Sequence, residues 1–434
     1  MSDQNRTFKR LQLAGWRQFA SVDVEFHPRL TVLTGVNGVG KSTLLNILAR
    51  FVGVERPFLS VPRRNEQGGV TYWTGQLLSP EWWKSLLPFW SDKPKDQVGL
   101  LMYSDGTESP LSIPQKVKPA YQLRIDNQKN VFGIVIGSHR RLPTYRAIPN
   151  IPFEGLDPQR AYDSFRDISY VDYRGENSDE SLIFRIKTAI AAWAIMGEGN
   201  SILQPDSRQK HAYDGFTDVL RKVLPASLGF LELSVRPPDI VMVTRSGEFL
   251  IDAASGGVVT LIELAALIYG CSLRSEVEGG QPFVTVIDEP ENHLHPSLQR
   301  SLFTKLTSAF PQVQFIVATH SPFMVSSLKD SNVYVLRYES IEVASDRTES
   351  SRVVSTRLDH VNRAGTASEI LRDVLGVPVT VPEWVEADLN SIVEKYQTQP
   401  ITEALLGHLK EELKAAGLDD LFGEALAGLA KAHQ

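Results

Sequence analysis

Apolar and polar positions alternate at the start of the chain. Leu11 and Leu13, then Val22, Val24 and Phe26, predict two short strands around a turn over Phe8 to Phe26. Thr31 to Leu33 continue as a β-branched strand, after which Leu44, Leu45, Ile47 and Leu48 recur at helical spacing. From about residue 53 to 119 the pattern breaks down and reads as an irregular, aromatic-rich insertion. Val131 to Ile136 is an apolar run of buried-strand length; Leu182, Ile183, Ile186, Ile190 and Trp193 then begin a helical insertion over about 178–225. Alternation returns from Phe230 to Leu250, and Val259, Leu261, Ile262, Leu264, Ala265 and Leu267 form a second apolar helix. Val284 to Ile287 and Phe315 to Ala318 are buried-strand runs, separated by a helix through Leu298, Leu302 and Leu306 that Pro296 is suited to start. Strands at Val333 to Leu336 and Ile341 to Val343 finish a head expected to span 1–345. A helical region, 346–434, follows: Thr366 to Leu375, then stripes at Leu405, Leu406, Leu409, Leu413 and at Leu418, Leu421, Phe422, Leu426, Leu429. Those stripes can pack back on the head or dock a partner or second copy.

Composition narrows the class. The 434 residues give room for two or three units of ~150 residues each, or for one elaborated α/β domain. One cysteine, Cys271, excludes a disulfide framework or a zinc ribbon. The N-terminus has no signal-like run and no segment approaches ~18 uninterrupted apolar residues, so a cytoplasmic protein with no membrane partner is expected. A net charge of −6 means that any nucleic-acid contact must come from a local patch.

The chemistry begins between the third strand and its helix. Gly35, Val36, Asn37, Gly38, Val39, Gly40, Lys41, Ser42 and Thr43 have the glycine–four–glycine–lysine–serine spacing of a P-loop. Backbone N–H groups and the helix N-terminus would cradle the phosphates of ATP. Lys41 would reach the β- and γ-phosphates, and the Ser42 hydroxyl would ligate Mg²⁺. Asp288 and Glu289 end the Val284 strand as a Walker B pair: Asp288 for Mg²⁺, Glu289 to polarise the attacking water. His320 ends the next strand, where it can bond the γ-phosphate or orient Glu289. Ser255, Gly256 and Gly257 open the second apolar helix as another anion-ready N-terminus, which suggests a cap for a nucleotide on another copy. Arg17 can lean over the phosphates or ribose, or be a solvated turn residue. Arg140, Arg141 and Arg146 form a basic cluster that can sense phosphate, touch a nucleic-acid backbone or simply be solvated. Four of the seven tryptophans, Trp73, Trp82, Trp83 and Trp90, can anchor an interface, stack on nucleic acid or pack the insertion. His293 and His295 alternate too closely for a zinc site.

GVNGVGKST, SGG, VTVIDEPENHLHP and VATHSP, in this order, resemble the ABC-class ATPase heads of the SMC, RecF and overcoming-lysogenisation-defect type. The resemblance implies an α/β P-loop NTPase fold with a mixed sheet flanked by helices, ATP and Mg²⁺ as cofactors, and a homo-oligomer, at least a dimer, closed as an ATP sandwich. DEPENHLHP and ATHSP further resemble bacterial ATPases that act beside nucleases in phage defence, with the general layout of the PARIS-type ATPase subunit. They imply an effector nuclease in trans, because the tail lacks the acidic motif of a nuclease in cis. A RecF-like protein binding DNA through Arg140 and Arg141 is the alternative. Two departures stand out: Ala254 and Val258 replace the usual leucine and Glu/Gln around the signature, and Ser138-His139-Arg140 occupy the Q-loop region, leaving Gln76 as a weak alternative glutamine.

Overall fold

A computed structural model describes residues 6–64, 68–75, 94, 96–116, 118–141, 143–150, 157–176, 180–277, 279–342, 349–359, 366–375, 382–397 and 399–432. The chain divides into two compact units, Met1–Ile370 and Leu371–Gln434. In the first, eleven strands form one sheet: β1 Phe8–Trp16, β2 Phe19–Glu25, β3 Leu30–Thr34, β4 Gln97–Tyr103, β5 Glu108–Ser112, β6 Arg124–Ile125, β7 Gly133–Ile136, β8 Phe283–Asp288, β9 Val313–Ala318, β10 Asn332–Glu342 and β11 Glu349–Arg357. Their order is β6-β5-β4-β1-β2-β11-β10-β3-β9-β8-β7.

The sheet has two characters. From β10 through β3, β9 and β8 to β7 every pairing is parallel. All residues of β3, β7, β8 and β9 are buried, as continuous apolar runs demand when both faces are covered. From β6 to β2 the pairings are antiparallel. β11 joins the halves, antiparallel to β10 and parallel to β2.

Helix α1, Lys41–Phe51, buries Leu44, Leu45, Ile47, Leu48 and Phe51, the apolar face read from the sequence. α2 Pro158–Arg174, α3 Leu182–Glu198, α4 Ser207–Val223 and α5 Gly256–Val277 pack against one another. A three-stranded sheet, Phe230–Arg236, Asp239–Thr244 and Gly247–Leu250, precedes α5. α6, Pro296–Ala309, has Pro296 in its first turn as expected. α5 alone among the described helices is long and apolar enough to cross a membrane, and 89% of its apolar window is buried in the core. Thr260 and Glu263 interrupt its apolar run, and both are buried.

Several boundaries differ from those read in the sequence. The head runs past residue 345 because β11 completes its sheet. The stretch 53–119 is not irregular throughout: β4 and β5 extend the main sheet by pairing with β1 and with each other. The helical section starts earlier than 178, at α2, whose buried side includes Tyr162, Phe165 and Ile168. Trp82, Trp83, Trp90 and Gln76 lie outside the described residues; Trp73 is half-buried, with the Arg63 guanidinium 3.8 Å from its ring centroid.

Among its described residues the second unit holds three amphipathic helices rather than two: α7 Glu383–Glu394, α8 Glu403–Ala415 and α9 Phe422–Ala432. Val385, Leu389, Ile392 and Val393 of α7 share a core with Leu405, Leu409 and Leu413 of α8 and Ala425 and Leu429 of α9. The leucine stripes of this unit thus pack on each other.

Candidate functional site

The parallel half of the sheet brings the C-terminal ends of β3, β8 and β9 side by side. Thr319 N donates to the Leu33 carbonyl at 3.0 Å, and Thr34 Oγ1 to the Thr319 carbonyl at 3.0 Å. Glu289 N donates to the Ala318 carbonyl at 2.9 Å. Three loops therefore leave the sheet at one edge, where α/β proteins bind ligands.

The loop from β3 needs its glycines. Gly35 has φ 139°, and a Cβ there would come within 2.2 Å of the Leu336 carbonyl oxygen. Gly40 has φ 97° and caps α1; a Cβ on it would meet Gln18 Nε2 at 2.3 Å and the Phe19 ring at 2.5 Å. The backbone thus takes a conformation that side chains exclude, which is how it can curl around a phosphate. Tyr338, on β10, donates to the Gly38 carbonyl at 3.1 Å and braces the loop. Lys41 is buried, and its Nζ donates to the Gly35 and Val36 carbonyls at 2.9 and 3.1 Å. Burial brings its pKa down to about 8, against the opposing pull of Asp288, Glu289 and Glu291.

Asp288 is buried at the end of β8, and burial lifts its carboxyl to about 6 although the Ser42 hydroxyl bonds to it. Its Oδ1 has no hydrogen-bond partner among the described residues. A hydroxyl beside a buried carboxylate with a spare oxygen is the donor set a hard, oxygen-seeking cation takes. Ser42 and Asp288 therefore fit Mg²⁺.

Glu289 has φ 47°, a left-handed conformation that a residue with a Cβ adopts only where its surroundings enforce it. Asn292 Nδ2 donates to Glu289 Oε2 at 3.1 Å and to the Ser138 carbonyl at 3.0 Å. His320 Nε2 lies 3.9 Å from Glu289 Oε1, too far for a direct hydrogen bond, and burial lowers the imidazole pKa. Glu291 Oε1 accepts from Thr319 Oγ1 and from His320 N, both at 2.7 Å, and so fixes the His320 loop.

Ser255 is exposed just ahead of α5, while Gly257 packs so that a Cβ would stand 3.0 Å from the His293 carbonyl. The turn before it, Ile251–Ala253, carries Asp252, which forms a buried ion pair with Lys187 of α3. Lys187 is fully buried and also donates to Asp239 at 3.0 Å and the Arg146 carbonyl at 2.9 Å.

Two expectations change. Arg17 sits 5.8 Å from the ring centroids of Trp16 and Phe58, and its neighbour Gln18 is the one that touches the P-loop. The basic cluster is dispersed: Arg141 pairs with Asp172 at 2.6 Å, Arg146 with Glu180 at 3.3 Å, and Arg140 turns inward to donate to the Glu289 carbonyl at 2.6 Å. His295 caps α6 by accepting from Ser297 N at 3.3 Å, and no cluster of three metal-ligating side chains occurs among the described residues. Asn292, Glu291, Tyr338 and Lys187 were not assigned to the site from sequence. A lysine on the apolar helix of Ile183, Ile186 and Ile190 was the one available signal.

Residues 202–325 match the AAA ATPase domain model, and residues 10–67 an AAA domain model. The chain is 22% identical over 412 residues to the Septu protein PtuA of Bacillus thuringiensis, spanning 91% of both chains. A Septu PtuA of Bacillus mycoides is 21% identical over 420 residues, 95% of this chain but 50% of that protein. The Retron Ec83 probable ATPase of Escherichia coli is 28% identical over 144 residues, 32% of this chain and 26% of that one. Among solved structures, the SMC head domain from Thermotoga maritima overlaps 81% of this chain and 99% of its own at a TM-score of 0.40 and 15% identity.

Proposed function

We propose that this chain, a P-loop ATPase of the ABC class, hydrolyses Mg²⁺-bound ATP at a site shared between two copies and uses that cycle to control an effector nuclease on another chain in antiviral defence. The observation that carries the reading is the convergence of Lys41, Asp288, Glu289 and His320 at one sheet edge, with an exposed Ser255 ahead of Gly256 and Gly257 at the start of a different helix.

The protein's part in hydrolysis follows from its own groups. The glycine loop and Lys41 bind the phosphates, the Lys41 ammonium exchanging its two carbonyl acceptors for phosphate oxygens. Ser42 and Asp288 hold the cation, which when bound neutralises charge developing on the phosphates. Glu289 accepts the proton of the attacking water, and Asn292 fixes which carboxylate oxygen is free to do so. His320 orients the γ-phosphate end of the site.

The second copy supplies Ser255, Gly256 and Gly257, the N-terminus of α5 pointing at the γ-phosphate. Likeness to Septu and retron proteins, together with the ENHLHP and ATHSP stretches, supports the defence role and the effector in trans. Binding of DNA through Arg140 and Arg141 finds less support, because the Arg140 guanidinium is buried against the Glu289 carbonyl and that of Arg141 is paired with Asp172.

The shared site is tested by mixing. Lys41→Ala and Ser255→Arg, each inactive alone, are expected to restore about a quarter of wild-type ATP turnover in a random 1:1 mixture of a two-site dimer. A mixture as inactive as its parts would remove the shared site.

A further inference from the structure

Arg140 leaves the C-terminal end of β7 and turns under the Glu289 loop. Its Nη2 donates to the Glu289 carbonyl at 2.6 Å, beside the left-handed backbone of Glu289. Nε and Nη1 of the same guanidinium are buried and have no hydrogen-bond partner among the described residues. Arg140 also lines a cavity of about 20 Å³, room for roughly one water. Glu263, two turns into α5 and 3% exposed, lines the same cavity. Asp172, His139, Arg141 and Ser169 complete the polar part of the lining, and Asp172 is already committed to Arg141. Burial lifts the Glu263 carboxyl to about 8, with Arg140 as the main opposing influence.

One cation thus holds a structure with one job and shares a one-water cavity with a structure that has another. On one side is the backbone that aims Glu289. On the other is the helix whose N-terminus is the Ser255-Gly256-Gly257 turn. A guanidinium presents its N–H groups in a fixed plane, so the unbonded Nε and Nη1 cannot shift with Glu263 without changing the hold of Nη2 on the Glu289 carbonyl.

We propose that Arg140 is a positioning residue that couples the aim of Glu289 in the chain's own nucleotide site to the seating of α5, through Glu263, and so links hydrolysis in one half-site to the turn offered to the other copy. The inference rests on the shared-site reading and on Glu289 as the water-polarising group. Displacement of α5 when a second copy docks moves Glu263 relative to Arg140, and Arg140 passes that displacement to the Glu289 carbonyl. A misplacement of about 1 Å at a catalytic group can cost on the order of 10²-fold in rate.

The test uses the purified full chain, measuring kcat and KM for Mg²⁺-ATP hydrolysis and the lifetime of the ATP-bound assembly by mass measurement. Arg140→Ala is expected to lower kcat by about 10- to 100-fold with KM nearly unchanged and to prolong the ATP-bound assembly. Guanidinium ion, well below denaturing concentrations, should restore part of the rate in Arg140→Ala and none in Glu289→Gln. Assayed above pH ~8, where Glu263 carries its charge, Glu263→Gln should lower kcat by about three- to tenfold, and the double variant should be no slower than Arg140→Ala alone. If Arg140→Ala fails to fold, Arg140→Lys and Glu263→Gln carry the same cycle. Additive losses, an unchanged kcat in Glu263→Gln, or a raised KM at constant kcat would overturn the coupling. Near-normal turnover in Glu289→Gln would instead sink the hydrolytic reading itself, whereas abolished turnover there beside a normal Arg140→Ala would sink only this proposal.

Discussion

The head presents two helix N-termini suited to phosphate, and they are furnished in opposite ways. That of α1 is enclosed: Lys41 and Asp288 are buried around it, and Glu289 and His320 stand at its mouth. That of α5 is open, with Ser255 exposed and Gly257 against the His293 carbonyl. Titratable groups gather at the first. The second is held from behind, by the buried Lys187–Asp252 pair one turn upstream. The enclosed end has the means to do chemistry, and the open end has the exposure to be brought to someone else's.

Substitutions can break this contrast, starting at the enclosed end. Glu289→Gln should reduce turnover by about 10²- to 10⁴-fold while leaving ATP binding and ATP-dependent assembly intact, as checked by nucleotide titration and mass measurement. Replacing Lys187 with Met keeps much of its volume but strips Asp252 and Asp239 of their cation. Leaving a buried charge without its partner costs about 3–5 kcal/mol, so that variant should lose Tm and ATP-dependent assembly together, while a folded fraction still binds ATP. The smallest effect belongs to Glu263. Its carboxyl titrates near 8 in the folded protein against an ordinary value of 4.5, so the folded state binds the extra proton. The resulting stability is full below pH ~4.5 and is lost as pH rises through ~8. Glu263→Gln should therefore flatten the fall in Tm between pH 5 and pH 9, and an unchanged slope would remove Glu263 as its source.

The enclosed site was largely legible because its residues are consecutive. A P-loop needs its glycines, lysine and serine at fixed spacing, and the Asp288-Glu289 pair ends a run that can only be a buried strand. What escaped depends on contacts between distant residues. For Arg17, nearness in sequence leaves contact with a nucleotide or with solvent open, and the fold adds what the sequence does not show, the Phe58 ring 5.8 Å from its cation. Arg140, Arg141 and Arg146 read as one patch, yet each has a different acidic or carbonyl partner from a different element. β11 was read as the start of a helical tail because Ser350, Ser351, Ser355 and Thr356 give it little hydrophobic signal; only Val353 of its central residues is fully buried, and its pairing with β10 supplies the rest. α7 begins directly after Pro382, its N-cap, and its buried Val385, Leu389, Ile392 and Val393 find their partners only on α8 and α9.

The place of β11 bears on how the protein comes into being. β3, the strand that launches the P-loop, acquires its neighbours only from residues beyond 312, and β2 waits for β11 at 349–357. During synthesis at ~5–20 residues per second, the nascent chain therefore carries its phosphate-binding loop for many seconds without the sheet that shapes it. Such long-range pairing also makes for slow folding. Competence for ATP arrives late and all at once, when the final hairpin slides between strands made at the very beginning.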